Sequence, residues 1–261
     1  MADVAEAALA GGPSRILLLS DFDGTLCEFR DDPESVQLTR SRRAALSTLA
    51  CRPAVCVGIV SGRRATDILD RTALDGPVYY AGLHGMEILG PDGGFTVGQL
   101  AAYRGRLQEL KASLAAAVRH LDGVFLEDKD LSVALHVRAA APEDRARAEE
   151  TFWTLASPAL EAGRARVQRG HCVFELLPDI AWNKGNAVHW IEGDATRRLG
   201  APMRTVYLGD DRTDEHAFEA IGDRGVTVIV GRAPSVAAHR LPDPAAVERL
   251  LDRLVTLTAD R

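Results

Sequence analysis

Apolar residues along this chain fall into two rhythms. Arg15–Ser20 holds the unbroken run Ile16–Leu19, stops at acids, and reads as a fully buried strand. Ser41–Ala50 places Leu46 and Leu49 on one helical face before Pro53 ends the segment. Ala54–Val60 is a second buried strand, Arg63–Arg71 a helix and Pro77–Ala81 a third strand. Strand alternating with helix predicts a parallel sheet with crossover helices. The same rhythm returns late in the chain. It predicts a helix over 184–199, a strand over 205–208, a helix over 213–221, a strand over 226–230 and a closing helix over 244–258.

Between these halves the pattern changes. Gly90-Pro-Asp-Gly-Gly94 divides 86–97 into a hairpin. Leu100, Tyr103, Leu107, Leu110, Leu114, Val118 and Leu121 recur every three or four residues, which predicts a long amphipathic helix. Strands follow at 124–127 and 131–138. In the second, Leu131, Val133, Leu135 and Val137 alternate with Ser132, Ala134, His136 and Arg138, so one face is buried. Pro142 opens a helix to about Ala156, and 166–168 and 172–177 read as two more strands. The expected organisation is an α/β core of residues 14–97 and 182–261, split by a smaller α+β insertion at 98–181. Residues 1–13, with Asp3, Glu6 and no basic n-region, read as a loose tail and not as a signal peptide.

Composition narrows the partners. The 261 residues are 46% hydrophobic and 26% charged, which excludes disorder or a collagen-like chain as a whole-chain reading. No apolar run approaches the about 18 residues of a membrane span. A net charge of −6 argues against nucleic acid as the main partner, yet leaves room for a small phosphorylated ligand held by a local cationic site. Cys27, Cys51, Cys56 and Cys172 form no CxxC pair and read as reduced thiols of a cytoplasmic protein.

Parallel sheets bind ligands at the carboxyl ends of their strands, and polar clusters gather at four strand ends or nearby segments. They are Asp21-Phe-Asp-Gly-Thr25, Ser61-Gly-Arg63, Asn183-Lys-Gly185 and Gly209-Asp-Asp-Arg-Thr-Asp214. Two acid clusters set against buried strands are costly without a cation. Oxygen donors without a His/Cys cluster suit Mg²⁺. A carboxylate beside a metal and a lysine can attack phosphorus, while a second carboxylate two residues on protonates the leaving oxygen and then activates water. Lysine and metal neutralise the transferred phosphoryl group.

The four clusters resemble the haloacid dehalogenase-like phosphatase superfamily. Gly82-Leu-His-Gly85, Leu126-Glu-Asp-Lys129, Trp182-Asn-Lys-Gly185 and Tyr207-Leu-Gly-Asp-Asp-Arg-Thr-Asp-Glu215 narrow the resemblance to the trehalose-6-phosphate phosphatase family. It runs from about Arg15 to Ala233. It implies a Rossmann-like core with a cap, a sugar phosphate as substrate, Mg²⁺ as cofactor, a monomer, and functional coupling to a separate synthase. By the resemblance Asp21 is the nucleophile, Asp23 the acid/base, and Ser61 and Lys184 hold the phosphoryl oxygens. Asp21, the Asp23 carbonyl and Asp210 hold the metal, with Asp211 or Asp214 as a further ligand, direct or through water. Gly62, Arg63, His84 and Gly85 are expected at the substrate, and Glu127, Lys129, Arg138 and Glu175 on cap strands that read the sugar. This chain departs from the family pattern at His171-Cys172, at Leu177, where arginine is frequent, and at Asn183, where aspartate is. The departures at His171-Cys172 and Leu177 keep another disaccharide or sugar phosphate open as the substrate.

Overall fold

The computed structural model describes residues 2–10, 15–30, 35–128, 130–170 and 172–259. It divides into two compact units, Met1–Thr96 with Trp182–Arg261, and Val97–Ala181.

The first unit is built on an eight-stranded sheet. In chain order its strands are β1 (Ile16–Ser20), β2 (Val55–Val60), β3 (Val78–Gly82), β4 (Glu87–Gly90) and β5 (Gly93–Thr96). After the second unit, whose strands are β6 to β9, come β10 (Arg204–Gly209), β11 (Val226–Val230) and β12 (His239–Leu241). The spatial order is β12-β11-β10-β1-β2-β3-β4-β5. Pairing is parallel from β12 to β3, and the β4–β5 hairpin extends the sheet antiparallel. The unbroken apolar strands are explained by helices on both faces. Ile16 and Leu18 of β1 pack in a core with α1 (Ala2–Leu9), α2 (Arg40–Ala50), α3 (Ala65–Thr72) and α8 (Pro244–Leu257). Leu17 and Leu19 point the other way, into a core with α6 (Lys184–Leu199) and α7 (Glu215–Ile221). Side chains that alternate across a strand are thus buried on both sides.

The start of the chain corrects the expected loose tail. Residues 2–9 form α1, and Val4, Ala5 and Ala8 are buried against the core that includes α8. Residues 11–14 lie outside the described residues. The short strand β12 was also not expected from its sequence.

Among the described residues the second unit has two helices, α4 (Gly98–Val118) and α5 (Pro142–Glu161), and four strands. These are β6 (Phe125–Asp128), β7 (Val133–His136), β8 (Ala165–Gly170) and β9 (Val173–Pro178), in the antiparallel order β6-β7-β9-β8. Leu107, Leu114 and Val118 of α4 and Ala148, Phe152 and Ala156 of α5 share a core with Val133, Leu135, Phe174 and Leu176 of the sheet. The opposite sheet face carries the polar members of the alternation. β7 is shorter than expected and stops at His136, so Arg138 sits in an exposed turn and not on a strand.

Candidate active site

Register brings three strand ends level. Ser20 of β1 pairs with Leu208 of β10 on one side and Ile59 of β2 on the other. The next residue along β1 is Asp21, whose N–H continues the ladder to the Leu208 carbonyl at 2.8 Å. Ser61 and Asp210 follow the neighbouring strands. Ser61 is buried and its N–H donates to the Ala81 carbonyl at 2.9 Å.

The chain turns sharply after Asp21. Gly24 has φ +81°, and its N–H donates to the Cys27 carbonyl at 2.7 Å. A Cβ at Gly24 would lie 2.2 Å from Asp210 Oδ2, so only glycine lets this turn approach the carboxylate.

Lys184 opens α6. Asn183 caps that helix: its Oδ1 accepts from the N–H of Gly185 and Asn186, and Asn186 Oδ1 accepts from the Asn183 N–H. This reciprocal cap ties the orphan donors of the first turn and fixes the Lys184 backbone. Asparagine fills the capping position without aspartate's charge. The Lys184 side chain is buried, and its Nζ donates to Asp21 Oδ1 at 2.9 Å and Asp214 Oδ1 at 2.7 Å. Burial favours the neutral amine, but the two carboxylates more than offset it and hold Lys184 charged.

Asp214 is wholly buried. Its Oδ1 accepts from Lys184 and from the Tyr207 hydroxyl at 2.8 Å, and its Oδ2 accepts from the N–H groups of Asp210 and Asp211 at 3.1 and 3.2 Å. Four donors fill the acceptor capacity of a carboxylate. Asp214 is therefore the anion around which the Gly209–Asp214 loop folds. Gly209 is required there, because a Cβ would lie 2.3 Å from Asp214 Cγ.

Carboxylate oxygens of Asp21, Asp210 and Asp214 lie within 4.8 Å of one another. Burial pushes Asp21 well above the usual carboxylate range against the pull of Lys184, and Asp214 and Asp210 add to the rise. Burial and Asp214 likewise raise Asp210 to about 6. Asp210 Oδ1 accepts from the Thr25 hydroxyl at 3.2 Å. Asp211 differs. It is exposed, and although partial desolvation pushes it up, its bonds from the Thr213 N–H and hydroxyl, both 2.7 Å, and the Lys184 charge hold it below its ordinary value.

Asp23 and Arg63 meet across 40 residues. Arg63 Nε donates to Asp23 Oδ2 at 2.7 Å and Nη2 to Oδ1 at 2.8 Å. This bidentate fork is the strongest geometry for such a pair. Arg63, expected from the sequence at the substrate, is thus held on Asp23. Beside it, Leu83, His84 and Gly85 all have positive φ, at 54°, 57° and 92°. The His84 N–H donates to the Ser61 carbonyl at 2.8 Å, and a Cβ on Gly62 would lie 3.0 Å from the His84 ring. Two consecutive non-glycine residues in the left-handed region are costly and concentrate at functional sites.

In the second unit, Glu127 and Glu175 occupy one row of the sheet on either side of Ala134. His136 Nε2 meets Glu127 Oε2 at 2.9 Å, and the Ser132 hydroxyl donates to Glu175 Oε1 at 2.6 Å. Sequence reasoning passed over Ser132 and His136, although the alternation that marked their strand places them on the polar face. Lys129 lies outside the described residues. Tyr207 opens the string that carries the resemblance, but its bond to Asp214 had no counterpart in the sequence reading.

Comparison with known proteins follows the same lines. The family model of trehalose-phosphatase matches residues 19–241. The trehalose-phosphate phosphatase of Mycobacterium marinum is 39% identical over 243 residues, covering 90% of this chain and 60% of that protein. Its counterpart in Mycobacterium tuberculosis is 36% identical over 240 residues, with the same coverage. The chain thus spans about 60% of the length of the curated relatives it matches. The solved Aspergillus fumigatus trehalose-6-phosphate phosphatase superposes with a TM-score of 0.68 at 26% identity, covering 98% of this chain and 97% of that one. With a match running through both units and all four polar clusters, the chain belongs to the trehalose-phosphatase family.

Proposed function

We propose that this chain hydrolyses trehalose 6-phosphate to trehalose and inorganic phosphate, with Mg²⁺ as cofactor and an aspartyl-phosphate intermediate. The observation that carries the reading is the buried Lys184 ammonium bridging Asp21 and Asp214 at the carboxyl edge of a parallel sheet.

The residues fit a hard divalent cation. Asp21, Asp210 and Asp214 outnumber Lys184 three to one, the donors are all oxygen, and Gly24 presents no side chain of its own to Asp210. Asp21, the Asp23 carbonyl and Asp210 would hold the ion, and Asp211 is the better further ligand because the acceptor sites of Asp214 are taken. When bound, Mg²⁺ supplies charge neutralisation for the phosphoryl group.

Asp21 attacks phosphorus, and the bond from phosphorus to the sugar oxygen breaks. Asp23, with one oxygen released from the Arg63 fork so that it can carry a proton, gives that proton to the departing oxygen. Asp23 then takes a proton from water as the water attacks the aspartyl-phosphate, and the bond from Asp21 to phosphorus breaks to release phosphate. Ser61 and Lys184 steady the phosphoryl oxygens. Arg63 orients Asp23. Glu127 and Glu175, with Lys129, read sugar hydroxyls from the second unit, which acts as a cap. No helix of the described residues is long and apolar enough to cross a membrane. We place the enzyme in the cytoplasm, as a monomer supplied by a separate synthase.

A second reading, another sugar phosphate, is favoured by Leu177, which shares the polar face of the cap sheet with Glu175. Phosphate release from trehalose 6-phosphate, sucrose 6-phosphate, glucose 6-phosphate and p-nitrophenyl phosphate, with Mg²⁺ and with EDTA, separates the two. The first reading predicts Mg²⁺-dependent release fastest from trehalose 6-phosphate by tenfold or more in kcat/KM, about 1.4 kcal/mol of transition-state discrimination. Equal or faster release from another sugar ester overturns the substrate, and no release from any ester overturns the enzyme.

A further inference from the structure

We propose that Phe29 is a sugar platform on the first unit, its ring stacking on the apolar face of the pyranose that carries the transferred phosphate. This deepens the phosphatase reading above and rests on it.

Phe29 is 72% exposed, the most exposed large hydrophobic side chain among the described residues. Single exposed apolar side chains are ordinary, so position decides. A Cβ on Gly24 would lie 2.7 Å from Phe29 Cε2 and 2.2 Å from Asp210 Oδ2. The ring edge and the carboxylate therefore border the same glycine, in the turn that carries Asp21 and Asp23.

The chain leading to Phe29 is held firmly. Arg42 is buried and donates to the Leu26 carbonyl at 2.8 Å and to both Glu28 oxygens at 3.0 and 3.2 Å. These bonds hold Glu28 below its usual range although its side chain is 59% exposed. A buried guanidinium thus fixes the residue beside Phe29 while the ring itself stays in solvent.

The chemistry of a sugar ester supplies the partner. In a pyranose 6-phosphate only C6 separates the ester oxygen from the ring. A phosphorus meeting Asp21 brings that ring to the residues bordering its turn. Sugar C–H groups carry slight positive charge and the face of an aromatic ring slight negative charge, so the two stack and leave the hydroxyls free for polar partners. A small ester without a ring would not reach Phe29.

The test compares Phe29→Ala, Phe29→Leu and Phe29→Trp with wild type on trehalose 6-phosphate and on acetyl phosphate, both with Mg²⁺. The expected result is a fall of about threefold to twelvefold in the ratio of the two kcat/KM values for the alanine and leucine variants. It should come through KM for the sugar ester, and the tryptophan variant should restore the ratio to within about twofold. An unchanged ratio, or a loss without rescue by tryptophan, overturns the platform. If wild type hydrolyses acetyl phosphate but not trehalose 6-phosphate, the substrate reading fails. The platform then stands or falls on the same ratio for the sugar phosphate that wild type hydrolyses fastest. Failure to hydrolyse any sugar phosphate overturns both.

Discussion

Arg63 grips Asp23 through two parallel hydrogen bonds of 2.7 and 2.8 Å, joining the strand-end loop after β2 to the one after β1. The pair gives the proposed acid/base residue one orientation. Its guanidinium also reaches Asp67 at 3.5 Å, which in turn bonds Arg71 at 2.7 Å, so the fork is itself anchored on α3. Arg63→Ala should lower kcat about tenfold or more with a smaller change in KM, and Asp23→Asn should lower it roughly 10²–10⁴-fold. Steady-state kinetics on trehalose 6-phosphate check both. A wild-type kcat in Arg63→Ala would leave the fork without a role in the reaction.

Asp214 is the structural counterpart of the more open Asp211. Its four donors include Lys184, which removal would leave with one carboxylate in a buried site. Asp214→Ala should therefore cost about 3–5 kcal/mol of unfolding free energy, the usual loss when one partner of a buried pair is removed. Urea unfolding measures it. Asp211→Ala, at an exposed position, should cost less, about 0.5–1.5 kcal/mol for its bonds from Thr213.

Crowded carboxylates predict that Mg²⁺ stabilises the fold. At about 100 times its dissociation constant a ligand specific for the folded state adds about 2.7 kcal/mol. Thermal melts with Mg²⁺ and with EDTA should differ accordingly. Asp210→Asn should melt higher than wild type in EDTA, because it removes one of three clustered carboxylates, yet lose the Mg²⁺ increment. An undiminished increment in that variant would place the ion elsewhere.

Alkaline pH should destabilise the protein. Burial pushes the Cys27 thiol and the Tyr79 phenol up to about 12 in the folded state. In the unfolded chain such groups ionise near about 8.5 and 10. Between these limits the unfolded chain holds fewer protons, so stability falls as pH rises. The melting temperature should drop between pH 8 and 10.5, and Tyr79→Phe should flatten the slope, after loss of the hydroxyl's bond to Asp194 at 2.8 Å. Equal slopes for the two proteins would contradict this assignment.

The parts legible in the sequence were those where local pattern and tertiary role agree. Acids placed directly after all-apolar strands belong at the carboxyl edge of a sheet, which is where Asp21 and Asp210 stand, whereas Lys184 opens a helix and was singled out by the resemblance. The α1 helix escaped notice because eight residues form a marginal helix alone. Its stability comes from burying Val4, Ala5 and Ala8 in a core shared with residues more than 200 positions away. Arg138 was misplaced because the alternation of apolar and polar residues continues past the end of β7. The chain turns there, with the Val137 N–H bonded to the Cys172 carbonyl at 3.0 Å. The Arg63–Asp23 fork left no local signal: two charged residues 40 apart reveal their pairing only once β1 and β2 lie side by side.

If Asp21 is the nucleophile, served by Lys184 at a Mg²⁺ site, turnover of trehalose 6-phosphate depends on that one carboxylate and on the ion. Phosphate release from that ester by wild type and by Asp21→Asn, each with Mg²⁺ and with EDTA, tests it most directly. Wild type should release phosphate only with Mg²⁺, and folded Asp21→Asn should release none above background. Substantial release by Asp21→Asn, or release by wild type undiminished in EDTA, would contradict it.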